Sequence, residues 1–149
     1  GAKAFNTNVK VIGATTGSRS RDEQFEKVSD IIDGSLKLLD LDLRITEGEI
    51  IIYDQYAGDG YGFMTHGKAE AIKMVAETEG LFLDPVYTGS AMACLIDLCR
   101  KGFFKRDDVV VFLHTGGAAA LFPYKTPIRA YASGEAPPWT IPPWSPFAT

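Results

Sequence analysis

Two apolar runs in this chain each break off into residues bearing hydroxyls and glycine, and that pair of endings constrains the fold more than any other feature. The first run, Leu81-Phe82-Leu83, ends in Asp84-Pro85-Val86-Tyr87-Thr88-Gly89. The second, Val109-Val110-Val111-Phe112-Leu113, leads straight into His114-Thr115-Gly116-Gly117. Its length and branching are those of a strand buried on both faces. Between the runs, Ala91, Met92, Leu95, Ile96 and Cys99 recur at helical spacing, Arg100 and Lys101 occupy the last turn, and Gly102 follows as a C-terminal cap. In an open α/β sheet, ligands gather beyond the carboxyl ends of the strands. Two such endings imply one shared site.

The preceding residues extend the same alternation. Val9, Val11 and Ile12 mark a buried strand closed by Gly17, and Ser20 with Glu23 has the spacing of a capping box. Phe25, Val28, Ile32, Leu36 and Leu39 then form one face of a helix, with Gly34 weakening its middle. Thr15-Thr16-Gly17-Ser18 before that helix could hold an anion on free N–H groups, although a plain strand-to-helix turn explains the stretch more simply. A polar connection reaches Ile50-Ile51-Ile52-Tyr53, a strand too apolar for solvent on both faces. A glycine loop from residue 57 to 62 leads into a helix from about Thr65 to Glu79, stopped by Gly80. The order β-α-β-α-β-α-β implies right-handed crossovers and a parallel sheet. The fold class is α/β.

Composition excludes several functions. A net charge of −4 argues against a nucleic-acid surface. No apolar run approaches the roughly 20 residues that span a bilayer, and no secretory signal is visible, so a cytoplasmic protein is expected. Cys94 and Cys99 lie five apart on a helix and cannot pair with each other; reduced core thiols are the simplest reading. Neither a CxxC nor a helical histidine pair is present, so no metal site is expected. GxGxxG is missing after the first strand, which argues against a nucleotide-binding Rossmann module.

These motifs carry a resemblance. DPVYTGSAM, LIDL, the lysine-glycine that follows and HTGGAAALF together resemble the C-terminal part of the D-cysteine desulfhydrase and 1-aminocyclopropane-1-carboxylate (ACC) deaminase family. Tyr56-Ala57-Gly58-Asp59-Gly60-Tyr61-Gly62 is similar to that family's tyrosine-glycine loop, and GKAEAIKMVAETEG to the helix after it. The resemblance runs from about Val9 to Phe122. It implies a pyridoxal 5'-phosphate (PLP) enzyme of the tryptophan-synthase β fold (fold type II) with its N-terminal part missing. On that reading, residues 1–131 are the C-terminal portion of the PLP-binding large domain and 132–149 a tail rich in proline and tryptophan.

Under the resemblance, Tyr61 and Tyr87 are the acid/base and substrate-positioning residues, and Thr88, Thr115 and Gly116 contact the cofactor. Thr115 is the first choice for the pyridine nitrogen and Thr88 the second. The deaminases carry an acidic residue where Thr88 stands and an apolar one where Thr115 stands. A neutral hydroxyl cannot hold the ring nitrogen protonated as a carboxylate would. Both departures favour loss of a good leaving group at Cβ over cyclopropane opening. The expected reaction is therefore D-cysteine desulfhydrase-like, releasing sulfide, ammonia and pyruvate. The alternatives are ACC deamination and a non-catalytic half-domain subunit. His114 reads equally as a buried, hydrogen-bonded histidine or a functional one, and His66 as a surface residue.

The family's cofactor-bearing lysine and phosphate loop have no counterpart here, and the chain's own lysines read as solvent-facing or in turns. It is therefore expected to be inactive alone, to take a small amino acid as substrate when complete, and to form a homo-oligomer or join the missing N-terminal portion. Pro137-Pro138, Pro142-Pro143 and Pro146, interleaved with Trp139 and Trp144, suggest an extended strap packed on the domain or on a partner.

Overall fold

A computed structural model describes residues 1–5, 7–17 and 19–135. The proline- and tryptophan-rich stretch, and the strap expected of it, lie outside the described residues. Strand β1 (Ile12–Ala14) pairs in parallel with β2 (Ile51–Tyr53), with Ile12 opposite Ile51 and Ala14 opposite Tyr53. The intervening helix α1 (Arg21–Leu38) makes the crossover. Its start follows from the sequence: Glu23 N donates to Ser20 Oγ at 3.3 Å and Ser20 N to Glu23 Oε2 at 2.8 Å, so two orphan donors are satisfied reciprocally. The helix passes through Gly34 without a break. Phe25, Val28, Ile32 and Leu36 are only half-buried, and Leu39 lies just past the helix, exposed. Arg21 N donates to Asp54 Oδ2 at 2.9 Å. A carboxylate therefore already stands at this helix start.

The rest is helical. Helix α2 (His66–Glu79) is capped by Thr65, whose Oγ1 accepts from Lys68 N, and ends at Gly80 in the left-handed region. Helix α3 (Thr88–Arg100) packs against α2, and α4 (Lys125–Ala132) packs against α2 from another side. The core sits among these helices rather than on the sheet. Met64, Ala69, Ile72, Val75, Leu83, Val86 and Tyr124 form it, with Met92, Phe112, Leu121 and Ile128 packed on its edge.

Three expectations are corrected. Residues 81–83 and 109–113 are extended segments, not strands: among the described residues the sheet has two strands, and neither run has a neighbour to complete a ladder. Val109, Val111 and Leu113 are 91%, 85% and 79% exposed, and only Phe112 of that run packs on the core. Helix α4 adds an element beyond the expected β-α-β-α-β-α-β order. Pro127 falls in its first turn, where its missing N–H leaves no helical bond unmade. Of the two cysteines, Cys94 is buried as expected, its thiol pushed up to about 11 by burial, whereas Cys99 is exposed. Among the described residues, no helix is long and apolar enough to cross a membrane.

Candidate active site

The site is built around Asp84. The turn at Pro85 brings the chain back so that the Asp84 carboxylate meets the first N–H groups of α3. Oδ2 accepts from Val86 N and Tyr87 N, and Oδ1 accepts from Thr88 N and from the Thr88 hydroxyl, all at 2.7 Å. Thr88 Oγ1 in turn accepts from Asp84 N at 2.7 Å. These donors would otherwise be orphans of the helix start. Burial pushes the Asp84 carboxyl up, but the bonds from Thr88, Tyr87 and Val86 together outweigh it and hold the acid below its ordinary value.

Tyr87 rides on this cap and projects outward, 49% exposed. Its hydroxyl is hydrogen-bonded to that of Tyr61, with the rings edge to face and their centroids 6.0 Å apart. The Tyr61 phenol is pushed up to about 12, first by that bond and then by burial. The two residues expected to share acid/base work, 26 apart in the chain, therefore touch.

The loop carrying Tyr61 is held from beneath. Lys68, on the first turn of α2, is fully buried, and its Nζ donates to Ala57 O and Phe63 O, each at 2.6 Å. Tyr124, at the start of α4, donates from its hydroxyl to Gly62 O at 2.5 Å. Burial lowers the Lys68 amine to about 8, with the Asp84 charge opposing the shift. Lys68 corrects the expectation that the lysines are solvent-facing or in turns. It precedes Ile72 by four and Val75 by seven, so it falls on the buried stripe of α2. That spacing was the signal in the sequence.

The second ending closes over Asp84. Gly117 comes so near that a Cβ there would stand 3.2 Å from Asp84 Oδ1. His114 is exposed, not buried, yet bonded at both nitrogens. Nδ1 accepts from Gly116 N at 3.0 Å, which places the proton on Nε2, 3.1 Å from Phe82 O. The histidine thus ties the two apolar runs together at their carboxyl ends. His66 is exposed, edge to face with Tyr131 at 4.8 Å.

Of the residues singled out for the cofactor, Thr115 is exposed and Gly116 has open space where a Cβ would be. An exposed hydroxyl and bare backbone suit the edge of an aromatic ring. Thr88 lies next to Tyr87, but it is 2% exposed and its one hydroxyl proton goes to Asp84. It acts in the cap and has no proton left for a ring nitrogen.

An α/β crossover unit with hydroxyls and open glycine backbone gathered beyond its extended runs is the kind of site that holds a small organic cofactor. The family model for pyridoxal-phosphate-dependent enzymes matches residues 1–116, and the chain belongs to that family. A solved structure described as a crystal structure analysis of the ACC deaminase homologue is 30% identical and superposes with a TM-score of 0.76, over 87% of this chain. The chain spans 38% of the length of that structure. The fold is that of fold-type II PLP enzymes, and PLP is the family's cofactor.

Proposed function

We propose that this chain forms the C-terminal part of a PLP-dependent lyase of the D-cysteine desulfhydrase type. When bound, PLP supplies the electron sink for carbanion chemistry at the substrate amino acid. This chain's residues then have to hold the ring edge and deliver protons. Thr115 and Gly116 would lie at the ring, with Thr115 offering a neutral hydroxyl to its nitrogen. The Tyr61–Tyr87 pair is the observation that carries the reading. The Tyr61 phenol, pushed up to about 12, stays protonated at neutral pH and serves as a proton donor rather than a base. Elimination from D-cysteine needs such a donor at the departing sulfur. With one water consumed, the products are hydrogen sulfide, ammonia and pyruvate.

The neutral Thr88 and Thr115 favour this reaction over ACC deamination. No carboxylate follows Tyr87, and Asp84 is turned onto the N–H groups of residues 86–88. Lys68 is unsuited to carry the cofactor, because its amine is buried and directed at two carbonyls. The lysine that does so would come from elsewhere in the complete protein. The exposed Val109, Val111, Leu113 and Phe82 favour association with that remainder or with a second copy. The test is to assay the full-length gene product on D-cysteine and on ACC. Sulfide with pyruvate is expected from the first, and ammonia from ACC without sulfide turnover of D-cysteine would overturn the reading.

A further inference from the structure

We propose that Lys68 is a positioning residue for the tyrosine pair, clamping both ends of the 57–63 loop from the interior so that the Tyr61 hydroxyl is held against Tyr87. The geometry is specific. Its two carbonyl acceptors, Ala57 O and Phe63 O, bracket the segment that bears Tyr61. Gly58 and Gly62, with φ of +81° and +79°, make the turns between them. A Cβ on Gly58 would meet the Phe63 ring at 2.7 Å and Thr65 Cγ2 at 2.8 Å, so the loop is folded tightly on itself. Tyr124 adds a third anchor at Gly62 O.

A lysine with its whole side chain out of water is uncommon, and a buried ammonium is destabilising unless its donors and charge are answered. Here two carbonyls answer two of its three donors, and Asp84 supplies the opposing field. Asp84 is also the group that fixes Tyr87 through the cap of α3. One interior cation therefore sets one tyrosine and one interior anion sets the other. The hydroxyl contact at the surface depends on both. Tyr61 sits on a fixed support and not on a lid that closes over substrate.

The importance of this clamp for catalysis rests on the lyase reading, but its test needs no turnover. In the full chain with ring-labelled tyrosine, the Tyr61 titration is followed by NMR, wild type against Lys68→Met, alongside amide exchange across residues 57–63. The Tyr61 pKa is expected to fall from about 12 toward the ordinary phenol value of about 10. Exchange of the loop amides is expected to speed up about tenfold or more, with α3 keeping its protection. A folded Lys68→Met protein with Tyr61 and the loop unchanged overturns the proposal. Should Lys68→Met fail to fold, Lys68→Gln serves instead. Its uncharged amide suits the buried site but is too short to reach both carbonyls, so the same shift is expected and its absence is equally fatal. A protein inactive on D-cysteine whose Tyr61 still responds to Lys68→Met would sink the lyase reading and support the clamp.

Discussion

Gly117 and Asp84 stand in such close contact that a Cβ on the glycine would lie 2.9 Å from the aspartate Cβ. The glycine also has φ +91°, in the region that only glycine occupies without strain. Gly117→Ala therefore faces both a backbone penalty of about 1–2 kcal/mol and a collision with the residue that caps α3. Gly116 has the same φ but open space around it. Urea unfolding of the two alanine variants separates the terms: Gly116→Ala is expected to lose the backbone penalty alone, and Gly117→Ala clearly more.

Asp84 makes the chain sensitive to acid. Its folded-state pKa is held below the ordinary value, so its stabilisation is present above about pH 4 and is lost as pH falls through the folded pKa. Asp84→Ala strands the N–H groups of Val86, Tyr87 and Thr88 and leaves Lys68 without its opposing charge. Breaking a buried charge arrangement of this kind costs about 3–5 kcal/mol. Unfolding free energies measured from pH 7 down to 3 should show the variant starting lower and losing less stability than the wild type over that range.

Much of this was legible beforehand. The capping-box spacing of Ser20 and Glu23 located α1, and Thr65 with Gly80 bounded α2. The union of Tyr61 and Tyr87 rested on the resemblance, since nothing in their spacing demands it. The two extended runs were misread because a parallel strand is a property of a pair. The valines of 109–113 satisfy every local preference for a strand, yet among the described residues no neighbouring strand lies beside them. Lys68 reads as solvent-facing in the sequence, whereas its helical spacing to Ile72 and Val75 places it on the buried stripe, a position lysine rarely takes. Asp84 was hidden in another way. Its role depends on the turn at Pro85 folding the carboxylate back onto residues 86–88, which no periodicity reports.

The buried amine and the phenol pair should shape stability at high pH in opposite directions. Lys68 has a folded pKa of about 8, below its value of 10.5 in the unfolded chain. The unfolded state binds the extra proton between those values, so stability rises with pH across that window, by at most about 3 kcal/mol. Tyr61, raised to about 12, contributes stability that is present below about pH 10 and lost as pH climbs through 12. The Cys94 thiol, raised by burial to about 11, adds to the fall, so chemical unfolding from pH 7 to 12 is expected to show a rising contribution from Lys68 opposed by a falling one from Cys94 and Tyr61. Lys68→Met should remove the rising contribution, and Tyr87→Phe reduce the falling one.

Tyr87→Phe also addresses the chemistry in the complete enzyme. The substitution removes one hydroxyl from an exposed ring and leaves the Asp84 cap intact, since Tyr87 contributes its backbone N–H to that cap. Loss of a general acid typically lowers turnover about 10²–10⁴-fold, so kcat on D-cysteine should drop by that order while cofactor affinity, read from PLP fluorescence, changes little. Unaltered kcat would return Tyr87 to a packing role.

The last prediction concerns which lysine carries the cofactor. Borohydride reduction of the full-length protein in the presence of PLP, followed by peptide mapping, is expected to label one lysine outside these 149 residues. The requirement is an amine that is partly neutral, reachable and facing an anchored cofactor. Lys68 meets the first condition, because burial lowers its amine to about 8, but it fails the second: its side chain is wholly enclosed and Nζ is bound to Ala57 O and Phe63 O. Lys73 and Lys101 are tied at the surface to Glu77 and Asp97, and Lys3 to Glu49, so each amine is already engaged by a carboxylate. Stoichiometric label on Lys68 would mean that the 57–63 loop opens to admit the cofactor. That result would refute both the assignment of the lysine to another part of the protein and the picture of Tyr61 on a fixed support.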